Sequence, residues 1–170
     1  MSATIRRPGR VARVLRALCQ ASAVIGGVIL IGIALMTLAS VLGRVLFSHP
    51  IQGDVELVQL ACAVALAAFL PYTQWQGGNI LVDFFTAGTS KTTQRRLDAV
   101  GALLLGLVAA LVCWRTAVGS QAAFANEETS MLMAIPIWIP YALMTPGLAL
   151  TAVVSLFIAW RRFTAGDPLE

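Results

Sequence analysis

Residues 69–85 read FLPYTQWQGGNILVDFF, and the reading of this stretch decides the fold. An apolar run over residues 57–70 leads into it. The chain then turns polar at Tyr72, Thr73 and Gln74, meets Gly77 and Gly78, and becomes apolar again. A span that simply ended would need no second apolar stretch. The glycine pair frees φ for a sharp redirection. Beyond it Asn79 and Asp83 stand four residues apart, so in a helix they share one face. Ile80, Leu81, Val82, Phe84 and Phe85 are left to lipid or neighbouring spans. The pattern predicts a short helix over residues 79–85 lying in the membrane interface, capped by Asn79, with Asp83 near its positive end. The competing reading is an ordinary loop with a greasy tether.

Working outward, the 170 residues are 58% hydrophobic and 12% charged, with mean hydropathy +0.82. Soluble domains carry about 25% charge, and a chain of this size cannot hide so much apolar surface from water. The expectation is an all-α integral membrane protein, one domain over residues 1–170, with four transmembrane helices and the short interfacial helix between spans two and three. The spans are placed at about residues 17–43, 55–75, 97–118 and 141–160. Five arginines precede the first span, Arg6, Arg7, Arg10, Arg13 and Arg16. Its uncharged run is too long for a signal-peptide core, so it reads as a retained span. Small residues at Ala61 and Ala65, Ala63 and Ala67, and Gly106 and Ala110 offer faces for close helix contact. Pro71 and Pro146 are expected to kink the second and fourth spans. The third helical pattern continues past Trp114 through Ala117, Ala122 and Phe124.

Ten of the 12 basic residues fall in the N-terminal segment, the central connection and the C-terminal tail. The other two connections carry Asp54, Glu56, Glu127 and Glu128. Charge asymmetry therefore predicts that both termini and the central connection are cytoplasmic. Arg44 and Arg115 stand against this bias. The short connection after the first span predicts an ion pair of Arg44 with Glu56 or, failing that, Asp54. For Arg115 two readings stay open: snorkelling to the interface, or a contact with another span or a partner chain.

The net charge of +4 is not a nucleic-acid signal, because the basic residues sit at span ends without interleaved aromatics. The single histidine, His49, excludes a bis-histidine haem within this chain. Cys19, Cys62 and Cys113 are dispersed in apolar runs, which argues against a redox pair or a transition-metal site. No nucleophile elbow, zincin helix or phosphate-binding lysine loop occurs. No enzyme activity, catalytic residue, metal or cofactor is expected. The span centres are apolar, a poor basis for a self-sufficient carrier.

Several short motifs stand in a recognisable order: Arg44 in VLGRVLF, Glu56 in GDVELVQ, Gly77 and Gly78 in GGNILVDFF, Pro136 and Trp138 in SMLMAIPIW, then Pro146-Gly147. Over residues 41–156 the chain resembles the small membrane subunit, of the DctQ type, of tripartite ATP-independent periplasmic (TRAP) transporters. Where that family carries a histidine after the glycine pair, this chain has Asn79, which cannot take a charge. The resemblance implies a scaffold in the bacterial inner membrane that braces a large multispan subunit holding the substrate and sodium sites. It also implies a periplasmic substrate-binding protein, met through the complex, and import of an organic acid. Arg44, Glu56, Gly77, Gly78, Asn79, Asp83, Pro136, Trp138, Pro146 and Gly147 become structural or partner-interface candidates. Two other classes remain: an accessory subunit of a membrane enzyme, and an independent four-span carrier or channel.

Overall fold

Hydrocarbon offers a backbone no hydrogen bonds, so a chain this apolar must satisfy its amides within helices. The computed structural model describes residues 10–47, 53–77 and 91–164. There the chain forms α1 (Arg10–Phe47), α2 (Asp54–Trp75), α3 (Lys91–Ala125) and α4 (Trp138–Thr164). All four are long and apolar enough to cross a membrane, and among the described residues there is no strand, only an isolated bridge between Thr129 and Pro136. The expected interfacial helix, with Gly78, Asn79 and Asp83, lies outside the described residues.

The helices lie side by side in the order α1, α2, α4, α3. Two hairpins, α1–α2 and α3–α4, meet where α2 packs on α4. Small residues on two faces of α2 allow this. On one face Gly26 of α1 lies against the Ala65 carbonyl and the Phe69 ring. The Ser22 hydroxyl donates to the Ala68 carbonyl at 2.7 Å. On the other face a Cβ added at Gly147 of α4 would collide with the carbonyl oxygen of Ala67. Pro71 has no N–H to offer that carbonyl, its ordinary partner four residues earlier. A proline in α2 and a glycine in α4 thus let the two backbones approach. Both Pro71 and Pro146 sit inside continuous helices. The hydroxyls of Thr73 and Thr145 donate to carbonyls one turn back, at 3.2 and 2.9 Å.

In the second hairpin Leu156 covers Gly106. The Cys113 thiol donates to the Thr145 carbonyl at 3.6 Å, and the Ser120 hydroxyl donates to the Trp138 carbonyl at 3.0 Å. Near the end where the described chain begins and finishes, Leu15 and Cys19 of α1, Ala102 of α3 and Val154, Ile158 and Ala159 of α4 form a core cluster. Tyr72 and Trp75 of α2 pack on it. Arg162 and Asp98 close this end of the α3–α4 hairpin with a 2.9 Å ion pair. Elsewhere most large apolar side chains face outward.

Overpacking a close contact costs roughly 1–3 kcal/mol. Gly147→Ala is therefore expected to lower the unfolding temperature of the purified protein in detergent. Gly27→Ala, where an added Cβ meets nothing within 4 Å, should leave it unchanged or raise it.

Candidate functional site

At the end opposite the core cluster, the start of α2 is clasped to the connection between α3 and α4. Gly53 opens α2 with φ +75°, a conformation that costs an L side chain about 1–2 kcal/mol. An added Cβ would also strike the Met133 side chain. Asp54 follows with both oxygens engaged. One accepts the Val55 N–H at 2.8 Å, and the other accepts the hydroxyl of buried Ser40 at 2.6 Å. Arg44 stands 3.9 Å from that second oxygen.

Of the two partners expected for Arg44, Glu56 and failing that Asp54, it is the second that Arg44 meets, and the preference for Glu56 is corrected. The side chain of Glu56 lies two positions further round α2 and faces the other hairpin. One of its oxygens accepts the Met131 N–H at 3.0 Å. The other accepts the N–H groups of Leu132 and Met133 at 3.3 and 3.1 Å. Three successive amides thus converge on one carboxylate, an anion-binding nest filled by the protein's own side chain.

The rest of the connection holds that nest open. Ser130 donates its N–H to the Ile135 carbonyl at 2.9 Å, and its hydroxyl accepts the Ile135 N–H at 3.1 Å. Ile137 donates to the Glu128 carbonyl at 3.0 Å. Ala134 takes φ +51° within this closed ring. The ring leaves Met131 99% exposed and Leu132 73% exposed at its tip. Trp138 meets Phe124 edge to face, with ring centroids 5.6 Å apart. Pro136, Trp138, Phe124 and the acids Glu127 and Glu128 help to line an open hollow of about 420 Å³.

The structure thus brings Glu56, Pro136 and Trp138 to one end, with Arg44 beside Asp54. Pro146 and Gly147 lie mid-helix at the α2–α4 contact. Gly77 follows α2 at φ +71°, the left-handed position that favours glycine after a helix. Sequence reasoning missed Gly53, Ser40, Asp54 as the central acceptor, and the Arg162–Asp98 pair. The conformation of Met131-Leu132-Met133 has no local signature, since its partner lies 75 residues away. The nearest signal was Ser130 standing five residues before Ile135-Pro136.

Chemically this site is a fixed anion organising a backbone loop. Among the described residues no three His, Cys, Asp or Glu side chains are grouped to hold a metal ion. The family model described as "Tripartite ATP-independent periplasmic transporters, DctQ component" matches residues 33–165. No curated protein and no solved structure matches the chain.

Glu56→Gln removes one acceptor oxygen and the charge. Amide hydrogen exchange at Met131, Leu132 and Met133 should accelerate several-fold in this variant. Asp54→Asn, which leaves the nest filled, should not change it.

Proposed function

The chain belongs to the DctQ family, the small component of TRAP transporters, and on that premise we propose that it is the membrane scaffold of a sodium-coupled, binding-protein-dependent importer of an organic acid. It braces a large multispan subunit, which carries the substrate and sodium sites. A periplasmic binding protein delivers the solute to the complex. The observation that carries this reading is how the helices spend their polar groups. In the middle of the array, side-chain hydroxyls and the Cys113 thiol bond to backbone carbonyls of their own or the adjacent helix. The described carboxylates stand within about two turns of a helix end or in the α3–α4 connection. Such spans join helices together; with no described carboxylate at mid-span they offer little with which to coordinate sodium ions.

The charge pattern supports an orientation with both ends of the chain and the central connection in the cytoplasm, and the family supports a bacterial inner membrane. The Glu56 clasp then faces the periplasm. Its ring tip and the 420 Å³ hollow stand on the side from which solute arrives.

Two measurements test the proposal. Reporter fusions after Glu170 and near Lys91 should report cytoplasm, and one inserted at Glu127 should report periplasm. A tagged copy of the chain should retain the large TRAP subunit through detergent purification. A periplasmic signal at Glu170, or purification of the chain without the large subunit, would contradict the reading.

A further inference from the structure

The open hollow beside the α3–α4 connection has walls of opposite character. On one side α3 closes with the N–H groups of Glu127 and Glu128 turned back to the carbonyls of Phe124 and Ala123, at 3.3 and 3.0 Å. This closure usually puts glycine in the left-handed position. Here Glu127 holds it, with φ +54°. Two carboxylates thus stand at the negative end of a helix whose last turn has no basic residue. Among the described residues no cation of this chain pairs with either of them. The other walls of the 420 Å³ hollow include Phe124, Trp138 and Pro136, with Trp138 edge to face on Phe124. Trp138 is also the first residue of α4, so the positive end of that helix lies at the rim.

An aromatic face beside a carboxylate attracts an organic ammonium. A metal ion is poorly served, because among the described residues no third His, Cys, Asp or Glu joins the pair. Helix length gives the depth of the hollow. The apolar part of α4, Trp138–Arg162, has 25 residues, roughly 37 Å of helix. The hydrocarbon core of a bilayer is about 30 Å thick. Arg161, Arg162 and the Arg162–Asp98 ion pair mark one boundary. Trp138 and the acids then stand just beyond the other boundary, in the headgroup layer. The 22 residues of α2 give the same level, since Glu56 in its first turn bonds the connection that carries the acids. This depth is the same whichever end of the array is cytoplasmic.

We infer that the hollow binds the headgroup of a lipid that ends in a primary ammonium, as phosphatidylethanolamine does. The ammonium lies against Trp138 with Glu127 and Glu128 as counter-charges. The headgroup phosphate lies toward the first turn of α4. At this level such a headgroup is a cation that the bilayer itself supplies, so charge complementarity selects it. A headgroup without an ammonium brings its phosphate to two carboxylates and is repelled. The bound ammonium also offsets the cost of gathering two acids at the end of α3.

The test is lipid binding to the full chain in detergent, followed by native mass spectrometry. Phosphatidylethanolamine should bind more tightly than phosphatidylglycerol by roughly fivefold or more, from one exposed cation–π contact and one interfacial ion pair. Glu127→Gln combined with Glu128→Gln should abolish that preference. Glu127→Gly should weaken the preference while raising the unfolding temperature, because glycine takes the left-handed φ without strain. A glutamate that served only the fold would not lose lipid preference as stability rose. Equal binding of the two lipids by the unaltered chain would overturn the inference. So would a preference kept by the double glutamine variant. Free ethanolamine binding as tightly as the lipid would overturn it too, by making the occupant a soluble amine.

Discussion

The two hairpins of this protein are held together where the Ala67 carbonyl of α2 faces Gly147 of α4. In lipid there is no hydrophobic force to drive one helix onto another, because the tails are as apolar as leucine. Association must come from close packing and from polar groups that find partners. Pro71 removes the donor that would ordinarily hold the Ala67 carbonyl, and Gly147 removes the side chain that would keep α4 away. Together they set α2 between α1 and α4, and the order of the four helices follows.

The rest of the structure fixes the ends of that contact. At one end the core cluster joins α1, α3 and α4, and Arg162 holds Asp98. At the other, Glu56 reaches from the first turn of α2 into the α3–α4 connection and gathers three amides. That carboxylate does for the second hairpin what a cap does for a helix end: it supplies the partner the local backbone lacks. With both ends and the middle tied, the outer faces of α1 and α3 remain for lipid and for other chains. Such a division between internal joints and free outer faces suits the proposed scaffold role.

Much of this was legible in the residues, for identifiable reasons. Four long uncharged runs can only be helices in a membrane. Ala65 and Ala67 of α2 and Gly106 of α3 sit where the small-residue spacing put close contacts. Pro146-Gly147 and Ser130 with Ile135-Pro136 were legible as motifs, but their physics was not. Gly147 is explained by a carbonyl 80 residues away, and Ser130 by a ring that shapes a nest for Glu56. The preference for Glu56 over Asp54 as the partner of Arg44 failed for the same reason. Sequence proximity offered Asp54 and Glu56 alike, and the choice was made by three amides beyond residue 130. Contacts between hairpins carry no local periodicity, so the pattern of one helix cannot announce them.

The most direct test of the scaffold account is solute uptake by proteoliposomes under an inward sodium gradient, with the binding protein and its organic acid supplied outside. Vesicles would hold this chain alone, the large subunit alone, or both. The account predicts uptake with both subunits and none with this chain alone. Sodium-driven uptake by vesicles that hold only this chain would contradict it.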